Sequence, residues 1–391
     1  MVEKKLIYMD NAATTAPDSR VVEAMLAYMT SAYGNPSSRY SIGYEAKNLI
    51  NSVRVTAAKL IGAQPEEIYF TANGTEADNI ALQSLKLTGK RHLIVSAIEH
   101  PAVLNTARQL EKEGFLLSCL KADKNGIIQP EALEAAITPD TGLVSVMFAN
   151  NEIGSIQPIK KLSEIAHRFG SLFHTDAVQA FGQLRINVSD LGIDYLSASA
   201  HKIYGPKGVG LLYARRNVPV KAISYGGGQE YDLRPGTENT AAIAGFGRAI
   251  ELAAEEMQIR AVNEQKLSVH ICNRILREIS GVRLNGPEII DNDFSKRLPG
   301  NMNFSFEGVR GISLALRLDM EKICVSTGSA CSAGNDRPSH VLSAIGLSDA
   351  EANSSIRITI GKNNSPEEAD YLVDKIKEIA EEIRQLNNYR I

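Results

Sequence analysis

The sequence predicts an α/β protein: a mostly parallel sheet with helices on both faces, followed by a smaller α/β unit. Three observations carry this. From residue 65 to about 215, short β-rich apolar runs alternate with helical patterns, the signature of stacked β-α units. From about 241, nearly forty residues keep one helical periodicity, enough to bridge two domains. After that, strand-like and helical segments alternate again on a smaller scale. The 391 residues exceed what one hydrophobic core usually serves.

Taken in order, EIYFTA (67–72) reads as a strand and TEADNIALQSLKL (75–87) as a helix. HLIVSA (92–97) is a strand, HPAVLNTARQLEKEG (100–114) a helix ending at glycine, and FLLSCLKA (115–122) a strand. PEALEAAI (130–137) is a short helix and TGLVSVMFAN (141–150) an apolar strand. IKKLSEIAHRFG (159–170) is a helix, with strands LFHTDA (172–177), DYLSASAHK (194–202) and GVGLLYAR (208–215) after it. NMNFSFE (301–307), KICVS (322–326) and SIRITIG (355–361) are the later strands. The last helix, 366–387, places apolar residues at 369, 372, 373, 376, 380 and 383, one face of a 3.6-residue repeat.

Hydrophobic content of 44%, charge of 22% and a net charge of −3 are those of a globular protein without a nucleic-acid-binding surface. The opening MVEKKLIYMDNAATT has no apolar core of signal-peptide length, and no run is long enough to span a bilayer. A cytoplasmic protein with no membrane partner is therefore expected. The four cysteines show no metal-ligand spacing, so no metal is expected. Cys119, Cys272 and Cys324 have apolar neighbours and read as buried. Cys331 stands apart in VSTGSACSAG (325–334), among small residues that cannot hide a thiol.

Ligands of open α/β sheets bind beyond the carboxyl ends of the strands, and there the polar signals gather. After IYF comes a turn at Asn73 and Gly74, with Thr75 as the expected helix cap and first-turn N–H groups suited to a phosphate. His100 follows the next strand, and Asn150, Asn151 and Glu152 the one after. Asp176 ends an apolar strand, where a carboxylate needs a partner, and Gln179 lies three residues on. Ser199, His201 and Lys202 end another strand; a desolvated lysine there can form a Schiff base. One cofactor uses Lys202, Asp176, the Gly74–Thr75 turn with Ser199, and His100 together. Pyridoxal phosphate (PLP) needs a lysine for its aldehyde, an acid for its ring nitrogen and a phosphate cradle.

The motifs YMDNAATT (8–15), GNPSS (34–38), NNEIG, FHTDAVQ, SAHKIYGPKGVG, GGGQE (226–230), RPGTEN (234–239), STGSACSAG and IRITIG occur in this order. In them the chain resembles the cysteine desulfurases of the class V aminotransferase-like group, PLP-dependent transferases of fold type I. The resemblance implies a large PLP-binding domain over 15–257 and a small domain from 1–14 and 258–391 that carries the cysteine loop. It implies that Lys202 holds PLP covalently, Asp176 pairs with the ring nitrogen, Gln179 contacts the ring oxygen and His100 stacks on the ring. Gly74, Thr75, Ser199 and His201 would bind the phosphate, joined by Thr237 from the second copy of a homodimer. Arg357, Asn151 and Asn11 would bind substrate. Cys331 would take sulfur from L-cysteine as a persulfide, leaving L-alanine. The sulfur would pass to an acceptor protein, a cluster scaffold or a tRNA-thiolation enzyme. The competing expectations are another enzyme of the same fold, an aminotransferase (which has no need of the thiol) or a selenocysteine lyase, and a non-catalytic scaffold or regulator that binds a sulfur-accepting partner and has kept the fold. Asn73, Tyr231 and Asp232 depart from the residues many relatives carry.

Overall fold

The computed structural model describes residues 5–290, 293, 295–327 and 338–388. The chain begins with β1 (Ile7–Tyr8), α1 (Ser19–Thr30), α2 (Ser41–Ile61), β2 (Ile68–Thr71) and α3 (Gly74–Gln83). It continues through β3 (His92–Ser96), α4 (Pro101–Lys112), β4 (Leu116–Leu120), α5 (Pro130–Ala136) and β5 (Thr141–Ser145). Next come α6 (Ile159–Arg168), β6 (Leu172–Asp176), β7 (Tyr195–Ser199), β8 (Gly210–Ala214) and the long α7 (Thr240–Glu278). The remainder comprises β9 (Val282–Leu284), β10 (Asn301–Phe306), α8 (Gly311–Met320), β11 (Ile323–Cys324), α9 (His340–Ala344), α10 (Asp349–Asn353), β12 (Ser355–Thr359) and α11 (Pro366–Asn388).

Among the described residues, seven strands form one sheet in the order β2-β8-β7-β6-β5-β3-β4. Only β8 runs against its neighbours, so β2, β3, β5, β6 and β7 all end at one edge. Helices cover both faces. One core contains α2, α6 and the first third of α7 with Phe173, Phe181 and Phe246; the other packs α3 and α4 against Leu93, Leu143 and Leu212. A three-stranded antiparallel sheet, β12-β10-β9, has its own core. Ile271, Cys272 and Ile275 of α7 belong to it, as do Ile7 and Met9 of the N-terminal segment. The long helix thus joins both cores, as its unbroken periodicity predicts. Ala369, Leu372, Val373, Ile376, Ala380 and Ile383 of α11 are all buried there.

Five expectations need correction. Cys119 is exposed rather than buried, and Cys324 is only half-buried. Cys119 has apolar neighbours in sequence, but β4 is the sheet's last strand and Leu116 beside it is exposed too. Asn73, not Thr75, caps α3: its side chain accepts the Glu76 N–H at 2.8 Å. The apolar run 141–150 leaves the sheet after Ser145, and the strand begun near 194 ends at Ser199 in a turn of 3₁₀ helix over Ala200–Lys202. Among the described residues, no helix is long and apolar enough to cross a membrane.

Candidate active site

The common edge of β2, β3, β5, β6 and β7 opens into a cavity of about 360 Å³, within the range of small-molecule sites. Its floor is β6. Alternation along a strand puts His174 and Asp176 on one face, and both are buried. Asp176 accepts the Val178 N–H at 2.9 Å. Behind it, the His174 ring pairs with Ser145 Oγ (2.8 Å) and Ser197 Oγ (3.1 Å). Its Nε2 lies 3.6 Å from Asp78 Oδ1, which reaches in from α3. Burial holds His174 down to about 3, so its ring is neutral.

Lys202 rises from the turn that ends β7. Its Nζ donates to the carbonyls of Ala12 (2.6 Å) and Ala13 (2.7 Å), and Gln179 Nε2 donates to the same Ala12 carbonyl at 3.0 Å. The N-terminal segment is therefore part of the lysine's seat. His201 Nδ1 meets Thr14 Oγ1 at 3.1 Å, and burial lowers its pKa to about 4.

Gly74 and Thr75 line the cavity at the start of α3, where first-turn N–H groups have no partner within the helix. A Cβ on Gly74 would stand 2.5 Å from Val178 Cγ2, so this approach of backbone to the β6 loop requires glycine. His100 caps α4, its Nδ1 accepting the Ala102 N–H at 3.1 Å. A neutral His100 thus carries its proton on Nε2, and burial lowers its pKa.

The far wall comes from the smaller sheet. Arg357, in the middle of β12, donates from Nη1 to the Asn151 carbonyl (3.0 Å) and from Nη2 to Asp10 Oδ1 (2.7 Å). Its Nε is buried without a partner among the described residues.

Ser199, Asn151, His100, Asp176, Gln179, Gly74, Thr75, His201, Lys202 and Arg357 all line this cavity. Asn11 does not; its Nδ2 donates to the Thr359 carbonyl at 2.8 Å and it faces a smaller cavity behind Lys202. Thr237 is exposed on the 226–239 turn, outside the lining. Cys331, with Gly328 and Gly334, lies outside the described residues. Sequence reasoning missed Asp10, Asp78 and His174 as members of the site. The alternation His174–Asp176 within an apolar strand was the available signal for the last of these; the pairing of Asp10 with Arg357 spans 347 residues and had none.

The charges indicate what the cavity holds. One donor atom from each of Asp78, His100 and Asp176 lies within 4.8 Å of the others. Burial raises both carboxyls, Asp78 further because Asp176 is beside it, and Asp78 Oδ1 has no hydrogen-bond partner among the described residues. Two such carboxylates cannot both ionise without a cation between them. A protonated ring nitrogen supplies that cation, the start of α3 with Ser199 and His201 suits a phosphate, and Lys202 supplies an amine. The residues present fit PLP.

Comparison with known proteins agrees. The family model for aminotransferase class-V matches residues 7–372. A cysteine desulfurase IscS of Clostridium botulinum is 46% identical over 386 residues, covering 98% of this chain and 96% of the relative. A solved NifS-like protein superposes with a TM-score of 0.89 at 38% identity, covering 96% of this chain and 99% of its own. A structure described as SspA in complex with cysteine gives 0.79 at 36% identity, over 92% of this chain and all of the other. The chain therefore belongs to the class-V aminotransferase family, among its cysteine desulfurases.

Proposed function

We propose that this enzyme, a PLP-dependent cysteine desulfurase, binds L-cysteine between Arg357 and Lys202 and receives its sulfur on Cys331. The observation that carries the reading is the single cavity in which an amine, a buried acid, a histidine and a carboxylate-binding arginine converge.

PLP, when bound, draws electron density from the substrate's Cα and so weakens the bonds to it. Asp176 holds a proton at the ring nitrogen, and the neutral His174 beneath it keeps the floor from adding positive charge. Ser199, His201, Thr75 and the α3 backbone bind the phosphate. Arg357, its fork oriented by Asp10 and the Asn151 carbonyl, takes the substrate carboxylate; a planar guanidinium suits that group. Lys202 Nζ takes the Cα proton, and His100 Nε2 is placed to hold a proton beside the substrate. The Cys331 thiolate then accepts the substrate's sulfur, leaving L-alanine and a persulfide.

Three finer parts belong to the same reading. Thr237 serves the site of a second copy in a homodimer, supported by its exposed position and by the exposed Tyr225 and Tyr231 on its turn. The division into 15–257 and a unit of 1–14 with 258–391 is supported by Ile7 and Met9 packing in the core of the smaller sheet, although Leu298 packs in a core of the larger one. The persulfide goes to a cytoplasmic acceptor protein, such as a cluster scaffold or a tRNA-thiolation enzyme. Adding L-cysteine to PLP-loaded protein should yield L-alanine in proportion to sulfur transferred, with a persulfide mapped to Cys331 by mass spectrometry. Alanine without that modification would refute the role given to Cys331.

A further inference from the structure

Lys202 has two sides. Its front lines the cavity of about 360 Å³; with Ala12 and Gln179 it also forms the wall of a second, rear cavity of about 40 Å³. That rear space has a mixed lining, with Asn11, Gln183, Tyr204, Asn301 and Glu264 as polar groups beside the apolar Leu298 and Ile360. It has room for about two waters, with side chains able to hold them. Glu264 closes its far end and simultaneously lines an outer cleft of about 650 Å³ against Arg260, Lys362 and Asn363. Glu264 is only 5% exposed, yet it lines both spaces. A mostly buried carboxyl set between a lysine-lined cavity and an open cleft can meet water on either side.

We propose that Glu264 and the rear cavity form a proton route that connects Lys202 Nζ to solvent without passing through the substrate side. The proposal rests on Lys202 being the base of the reaction above. After Lys202 takes the Cα proton its amine is an ammonium. Through water in the rear cavity, that ammonium exchanges a proton with the Glu264 carboxyl, which exchanges with the outer cleft. Each transfer moves one proton and leaves the sum of charges unchanged. Burial raises the Glu264 carboxyl to about 8, with Arg260 opposing it, so it is able both to give and to take a proton near neutrality. At the Glu264 end stand Tyr204, Arg260 and Lys362, with Asp18, Arg20, Glu256 and Lys266 along the outer cleft. At the Lys202 end, Asp176, His100 and His201 feel its charge.

The test uses the holoenzyme and L-cysteine deuterated at Cα, in ordinary water. Wild type should lose most of the label to solvent before alanine is released. Glu264→Gln, of the same shape, should retain the label in alanine about three-fold or more above wild type, with its PLP content unchanged. Equal retention in the two proteins overturns the proposal. A second readout needs no turnover. In the apoenzyme carrying nitrogen-15-labelled lysine, NMR should show slower exchange of the Lys202 Nζ protons with water in Glu264→Gln, because the carboxyl that relays them has been removed. An unchanged exchange rate also overturns it. If wild type makes no alanine, the functional reading fails instead, and the lysine exchange still decides on the rear route.

Discussion

The two sheets that meet at the cavity handle charge in opposite ways. On the large-sheet side, Asp78 of α3 and Asp176 of β6 are buried side by side; Lys202 acts on Asp176, but among the described residues no cation is paired with Asp78. On the small sheet, Arg357 is equally buried, yet its charge is matched by Asp10 at 2.7 Å. The difference corresponds to what each side receives. A floor that waits for a cation suits a cofactor that stays bound, since the uncompensated carboxylates favour keeping it. An arginine already paired suits a substrate that must leave again as product. Asp10 keeps the guanidinium oriented between visits and prevents an isolated buried cation, which would be costly. Permanent and transient ligands are thus separated by which core supplies the groups.

The largest effects should come from breaking covalent chemistry. Lys202→Ala should abolish the absorbance of lysine-bound PLP and lower turnover by about 10³-fold or more. If that absorbance persists, the lysine is wrongly assigned. Cys331→Ser should lose turnover to a similar degree but keep full PLP absorbance. Undiminished sulfide release from Cys331→Ser would refute its role.

Arg357→Lys tests the comparison directly. It keeps the charge but loses the fork, so KM for cysteine should rise about 10- to 100-fold, with PLP affinity unchanged. Kinetics against cysteine and a PLP titration of the apoenzyme separate the two. A loss of PLP affinity instead would mean that the small sheet holds the cofactor as well, and the division between permanent and transient ligands would fail.

Much of this site was legible in the sequence because each polar group follows an apolar strand, and parallel strands of one sheet end at one edge. Asp176, Lys202 and His100 are found by that rule alone. Arg357 was legible for a different reason: an arginine inside SIRITIG has no solvent-facing excuse. What the sequence hid was set by contacts across the fold. Asp10 meets Arg357 because the segment around it pairs with Thr359 at the end of β12, and Glu264 shares a cavity with Lys202 because α7 carries it there. Cys119 shows the reverse error, since apolar neighbours along a strand do not reveal that the strand lies at the edge. Thr75 suits the cap by the same chemistry as asparagine; only the Glu76 N–H, which donates to Asn73 Oδ1, decides between them.

The smallest effect should be read in stability. Glu99, fully buried next to His100, accepts from Ser96 Oγ (2.6 Å) and the Met147 N–H (2.7 Å) through Oε1. Its Oε2 has no partner among the described residues. Burial raises it to about 8 from an ordinary 4.5, and Asp176 adds to the rise. The native state therefore holds a proton that the unfolded chain has released between those two values. The stability it contributes is complete below about 4.5 and is lost as pH rises through 8. His174, held down to about 3, acts in the opposite sense and costs stability as pH falls below its ordinary 6.5. Glu99→Gln cannot ionise, and its amide can donate where Oε2 now stands unpaired. Its melting temperature relative to wild type should therefore increase from pH 6 to pH 9 by roughly 1–3 °C. Glu152 and Glu264, raised by burial to about 7 and about 8, will keep part of the alkaline slope in the variant. Thermal melts of both proteins across that range decide the matter: parallel curves would show that Glu99 does not change its ionisation between pH 6 and pH 9.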